Sequence, residues 1–317
     1  MAQDLELSLL LADYHRTQPI LSGAIAAKGI KFAPQQAIPG EACMRPVYEE
    51  FDIAEMSLSW YVMARARKEP VIALPIFPLR MQIHPYIFCS PSAGIERPED
   101  LKGKKIGMDQ YRLTVGLWAR GILQEYHGVG PEDCQWFTSE PESEDAGFQA
   151  PDGVNITLAN QSTEQMLLRG ELDALIPPNI VPSFRNRDPR IRRVFHDIRA
   201  TVNEYFRQTR IFPITHTLVV RQELFDKQPW LVASLLKAFA DMEEVCRKSY
   251  EYAKRSAFPS AVLILEEEEE LFGGNPWGHG LTPENRVVLE KFVQYANEQG
   301  YIPNRPALSD LFAPVGN

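Results

Sequence analysis

The chain has 317 residues, 44% hydrophobic and 24% charged, which is ordinary for a globular protein and longer than one compact core needs, so two lobes are expected. A net charge of −9 with no offsetting basic block argues against a nucleic-acid partner, although converging arginines can still hold an anion locally. No stretch approaches the ~18 apolar residues of a membrane span, and the acidic start Met1-Ala2-Gln3-Asp4 lacks the features of a secretory signal, so a cytoplasmic protein without membrane contact is expected.

The first predicted element is a buried strand over 7–12, whose apolar run breaks at Asp13-Tyr14-His15-Arg16-Thr17. Ser57 or Ser59 then caps a helix that carries Trp60, Met63 and Ala64 and ends near Arg67-Lys68, before Pro70. Strands follow over 71–77, 86–90 and 104–108. A helix starts near Thr114, carries Leu117, Ile122 and Leu123, and stops by Gly128, with His127 placed well at its C-terminal end. Residues 138–154, rich in Ser, Glu, Pro, Asp and Gly, read as an exposed loop. Gln161 to Gly170 is a short helix closed by its glycine, followed by strands at 172–176 and 214–220. His196 reads as a partner of Asp197. Pro229 to Tyr252 is a long helix striped by Leu231, Leu235, Phe239 and Met242. Glu266 to Glu270 is a solvated acidic face or loop, and Glu284 to Gln299 is a last helix closing at Gly300. Strands alternating with helices predict an α/β fold.

Nothing in the sequence points to a cofactor. Cys43, Cys89, Cys134 and Cys246 are scattered without a CxxC pair, which fits reduced thiols rather than a disulfide frame or a thiolate zinc site. There is no GxSxG elbow, and "LKGKKIG" has neither the Rossmann nor the P-loop pattern. No helical HxxxH pair is present, which leaves histidines brought together from separate segments as the one route to a metal site, and neither metal nor cofactor is assigned.

Three segments in order resemble the type II periplasmic-binding-protein fold: "GIERPEDLKGKKIGM" (94–108), "GELDALIPPN" (170–179) and "HTLVVRQELFDKQPWLVASLLKAF" (216–239). The resemblance implies two lobes, each a mixed sheet flanked by helices, with a ligand cleft between them. Lobe 1 would comprise 1–88 and 210–317, and lobe 2 would comprise 89–209. The motifs "DYHRTQPI", "FDIAEMSLSWYVMAR", "PIFPLRMQIHPYIFC", "FPITHTLVVR" and "NPWGHGL" together resemble the 4,5-dihydroxyphthalate decarboxylases, whose last motif often carries Tyr where His279 stands here.

That resemblance implies cofactor-free decarboxylation of a hydroxylated aromatic dicarboxylate, 4,5-dihydroxyphthalate yielding protocatechuate and carbon dioxide, by a carboxy-lyase; homo-oligomer formation is left open. The chemistry needs a proton donor, a base near the ring hydroxyls and cations for the carboxylates. His15 or His216 is expected to deliver the proton, and Glu55 or His84 to face the hydroxyls. Arg16 and Arg80 are expected to hold carboxylates, with Arg45, Arg112 and Arg210 as further cations near strand–loop junctions. Ser57 and Thr114 would donate from helix starts, Asn179 and His279 would line the ligand, and Tyr14 and Trp277 would form aromatic walls. Two other functions fit the same fold: an anion-binding protein of an ABC transporter, and a menaquinone-pathway dehydratase acting on a chorismate-like acid.

Overall fold

The computed structural model describes residues 4–37, 47–141, 148–251 and 258–315. The described strands are β1 (Leu5–Ala12), β2 (Ile30–Ala37), β3 (Ile53–Ser57), β4 (Val71–Leu74), β5 (Phe88–Cys89) and β6 (Lys105–Met108). They continue with β7 (Gln135–Thr138), β8 (Asn155–Leu158), β9 (Ala174–Leu175), β10 (Arg192–Arg193) and β11 (His216–Arg221). The chain packs as two compact units: Met1–Arg80, Arg210–Leu289 and Pro306–Asn317 form the first, and Met81–Thr209 with Glu290–Arg305 the second. Each unit contains one mixed sheet flanked by helices, so the fold is a two-lobed α/β fold.

In the first unit the strand order is β2-β1-β3-β11-β4. β1 runs parallel to β2 and β3, while β11 inserts antiparallel between β3 and β4. Leu9 and Leu11 of β1, Ile53 of β3, Leu74 of β4 and Leu218 of β11 are fully buried with Leu235, Phe239 and Met242, the stripe of the helix Leu231–Glu251. The C-terminal segment joins this unit too: Ala313 N–H donates to the Ala73 carbonyl at 2.8 Å.

In the second unit the order is β10-β5-β9-β6-β7-β8. Its helix Thr114–His127 is buried along most of its length and ends at Gly128, whose φ of 63° gives the left-handed turn that glycine adopts without strain. Inside this unit Arg120 stacks on the Tyr111 ring, 3.6 Å from its centroid, and donates to Gln299, Tyr301 and the Tyr111 carbonyl.

Several strands have no continuous apolar run to mark them. β2 contains Pro34, Gln35 and Gln36; it is an edge strand paired only to β1, where a proline costs no ladder bond. β3 carries Glu55 and Ser57 within five fully buried residues, and these polar side chains interrupt the hydrophobic pattern. β7, β8 and β10 are likewise too short or too polar to stand out. Glu266 to Glu270 lie exposed on the helix Ala261–Phe272. His196 faces Glu96 rather than Asp197, with Nε2 3.2 Å from the Glu96 carbonyl, because Asp197 accepts from the Ala200 N–H of the following helix. Part of the loop expected over 138–154 and the expected helix end at Tyr252 lie outside the described residues.

Candidate active site

The end of β1 turns sharply at Tyr14-His15-Arg16. Buried Thr17 fixes that turn: its hydroxyl donates to the Ala12 carbonyl at 2.7 Å and accepts from the Tyr14 N–H at 3.0 Å. The three side chains then reach three different elements. Tyr14 reaches β3, where its hydroxyl donates to Glu55 Oε1 at 2.7 Å. His15 is exposed and lies with Nδ1 3.8 Å from the Cys246 sulfur on the long helix. Arg16 stacks on the Trp277 ring, 3.6 Å from its centroid, with the Tyr14 ring at 5.1 Å, and donates to the Pro78 carbonyl.

Glu55 is 1% exposed and joins β1, β3 and β11. Because β11 pairs antiparallel with β3 in the register His216↔Ser57 and Leu218↔Glu55, Glu55 and His216 are diagonal neighbours on one face of the sheet. His216 Nδ1 lies 2.5 Å from Glu55 Oε1, and the Ala12 N–H donates to Oε2 at 3.0 Å. Burial pushes the Glu55 carboxyl up, but the hydrogen bond and charge of His216, the Tyr14 hydroxyl and the Ala12 N–H together hold it below the usual carboxylate range. The carboxylate therefore accepts, the imidazole Nδ1 carries a hydrogen, and Nε2 is the ring nitrogen not committed to Glu55. The His216 side chain keeps 11% exposure. An imidazole held by a buried carboxylate is oriented for proton transfer.

A second cluster forms where "NPWGHGL" is stitched to "PIFPLR". Gly280 N–H donates to the Pro75 carbonyl at 2.7 Å, Phe77 N–H donates to His279 Nδ1 at 3.2 Å, and Arg80 donates to the Gly278 carbonyl at 2.7 Å. Asn285, in the first turns of the helix Pro283–Glu298, accepts from Arg80 at 2.7 Å and donates to the Gly278 and Gly280 carbonyls. The long helix contributes Glu243, whose Oε1 lies 3.8 Å from Arg16 Nε and 4.0 Å from His279 Nε2. Burial drives the Glu243 carboxyl up to about 7 against the pull of Arg16 and Arg80. Burial likewise lowers His279 to about 3, helped by the charges of Arg80 and Arg16, so its imidazole is neutral.

The first unit thus gathers Tyr14, Arg16, Glu55, Arg80, His216, Trp277 and His279 into two adjoining clusters that share Tyr14 and Arg16. Ser57 is buried at the entry to the helix Leu58–Ala66, its hydroxyl 3.4 Å from that of Ser59. Arg210 is exposed, with a left-handed φ of 59°. His84, Arg112, Thr114 and Asn179 belong to the second unit. There His84 is packed edge-on against Phe195 and Tyr205, and burial lowers it to about 4. Arg112 is fully buried, Thr114 is buried at the first position of its helix, and Asn179 is exposed after β9. Arg45 lies outside the described residues. Glu243 and Asn285 had no motif to announce them. The one sequence signal for Glu243 is a carboxylate four residues after Phe239 on an otherwise apolar helical stripe.

Among the described residues no group of three His, Cys, Asp or Glu side chains is placed to hold a metal, and no helix is long and apolar enough to cross a membrane.

Comparison with known proteins places the fold among binding-protein-like chains. The periplasmic sulfonate-binding protein SsuA of Methylobacillus flagellatus KT superimposes with a TM-score of 0.62 over 99% of this chain and 93% of its own, at 13% identity. No family model matches the sequence. Sequence relatives narrow the class. The 4,5-dihydroxyphthalate decarboxylase of Comamonas testosteroni is 32% identical over 98% of this chain and 97% of its own length. The enzyme of the same name from Pseudomonas putida is 32% identical over 64% of this chain and 82% of its own. The chain belongs to the 4,5-dihydroxyphthalate decarboxylase family, and with it to the carboxy-lyases.

Proposed function

We propose that the protein decarboxylates a hydroxylated aromatic dicarboxylate without an oxidant, with 4,5-dihydroxyphthalate as substrate and protocatechuate and carbon dioxide as products. The observation that carries this reading is the Tyr14–Glu55–His216 cluster beside Arg16: a held imidazole next to a largely buried guanidinium stacked on an aromatic ring. The family relatives carry the name of this reaction.

Each carboxylate of 4,5-dihydroxyphthalate is para to a hydroxyl. Ionising that hydroxyl pushes electron density onto the carboxylate-bearing carbon, which takes a proton; the C–C bond then breaks, its electron pair restores the aromatic ring, and carbon dioxide leaves. In this scheme His216, oriented by Glu55, delivers the proton. Arg16 holds a carboxylate, its side chain 16% exposed and backed by Trp277 and Tyr14. Arg80 positions the 277–280 loop through Gly278 and Asn285 and stands as the second cation for a carboxylate. His84 is a core residue in this reading, since a buried imidazole lowered to about 4 is neutral and enclosed by aromatic rings.

The test is to incubate purified protein with 4,5-dihydroxyphthalate and follow protocatechuate and carbon dioxide. Stoichiometric release of both is expected. Tight binding without turnover would favour an anion-binding protein, and turnover confined to a chorismate-like acid would favour the dehydratase reading.

A further inference from the structure

Four buried polar atoms in the second cluster have no hydrogen-bond partner among the described residues: Arg16 Nε, Arg80 Nε, Glu243 Oε1 and His279 Nε2. Glu243 and Arg80 are 5% and 4% exposed, and the His279 side chain 3%. Buried polar groups are nearly always paired, so four such orphans in one place need an explanation. His279 Nδ1 accepts from the Phe77 N–H, which leaves the ring hydrogen on Nε2. Two of these N–H donors, Arg16 Nε and His279 Nε2, therefore face a single carboxylate oxygen, and the charge of the third, Arg80, also acts on that carboxyl. The two measured gaps, 3.8 Å and 4.0 Å, are too long for hydrogen bonds. Donors in excess around an unsecured carboxylate form a site for a further carboxylate or for water.

We propose that Arg16, Arg80 and His279 form a carboxylate-binding site for which Glu243 is the internal competitor, so that a ligand carboxylate binds together with a proton taken up by Glu243. This rests on the reading of Arg16 as a carboxylate anchor. With Glu243 ionised, its charge offsets one guanidinium and repels an incoming anion. With Glu243 protonated, the cluster presents two positive charges, the His279 N–H and the carboxyl O–H, all suited to one anionic group. Other charged or titratable groups acting on Arg16 are Tyr14, Glu55 and Cys246, while the groups acting on Glu243 are Arg16 and Arg80. The burial-driven rise of Glu243 to about 7 despite two arginines agrees with a carboxylate one of whose oxygens no hydrogen bond secures.

Phthalate is the probe, because it keeps both carboxylates and lacks the hydroxyls that turnover requires. Titration calorimetry at about pH 8 in two buffers of different ionisation heat counts protons taken up per phthalate bound. Close to one proton is expected for the wild type and none for Glu243→Gln. The wild-type Kd should weaken about tenfold per pH unit above 7, and the Glu243→Gln Kd should stay flat. Phthalate binding without proton uptake by the wild type, which is what a cavity merely filled by water would give, overturns the proposal. So does uptake that survives in Glu243→Gln, or no phthalate binding at all. Turnover of 4,5-dihydroxyphthalate is scored separately, so its absence would sink the substrate assignment while leaving the proton count readable.

Discussion

Glu55 and Glu243 are buried carboxyls displaced in opposite directions, and their surroundings account for the difference. Glu55 has three donors on its two oxygens, whereas Glu243 has two arginines near it and an oxygen that none of them bonds. Their effects on stability run oppositely with pH. Glu55, lowered in the folded state, contributes stability that is present above the unfolded carboxyl value of about 4.3 and is lost as pH falls through its folded value. Glu243, raised from 4.5 to about 7, carries a penalty that grows as pH rises through that window. The wild-type unfolding midpoint should therefore decline between about pH 5 and pH 8 relative to Glu243→Gln, which denaturant titrations across that range measure; parallel profiles would contradict it. For catalysis, His216→Asn should lower kcat on the order of 100-fold or more while KM moves far less, since general acid catalysis is worth roughly that much. Steady-state kinetics on the purified variant decides it, and an unchanged kcat would remove His216 from proton delivery. Tyr14, His15 and Arg16 were legible as a polar break after an apolar strand. Glu243 was not, because a lone glutamate in a helix is ordinarily solvent-facing, and its place on the apolar stripe of the long helix gains meaning only with the packing around it.

Elements differ in how openly the sequence declares them. β1 and β11 each carry a short apolar run, Leu9–Ala12 and Leu218–Val220, and the helix Thr114–His127 has both a clear stripe and a terminal glycine, so pattern alone located them. β3 holds the central position beside β1 and β11, yet its Glu55 and Ser57 broke the pattern by which a buried strand is recognised; the buried carboxylate that holds His216 is part of what hid the strand. Close packing has the same property. Gly121, in the middle of the helix Thr114–His127, faces Tyr295 so closely that an added Cβ would lie 2.2 Å from the ring. Helix propensity alone would favour Gly121→Ala by about 1 kcal/mol. Overpacking costs roughly 1–3 kcal/mol or more, and at 2.2 Å from a fully buried ring it should win. Thermal unfolding of Gly121→Ala should show a lower midpoint than the wild type; a higher one would mean the helix moves aside without cost.

At the scale of the whole molecule, the connectivity decides when the first unit can exist. β11 sits between β3 and β4 and is bonded to both, but the chain reaches it only after the residues 81–209 of the second unit. A fragment ending at residue 209 should leave the β3 and β4 amides unprotected in hydrogen exchange, and protection equal to the full chain would show that β11 is dispensable to the sheet. The same insertion has a consequence during synthesis. Glu55 and His216 are 161 residues apart, which at ribosomal speeds of roughly 5–20 residues per second is a wait of about 8–32 seconds. Through that interval the nascent chain carries Glu55 without the imidazole that pairs with it, so the Glu55–His216 pair, and any chemistry proposed for it, can form only once the sheet closes around β11.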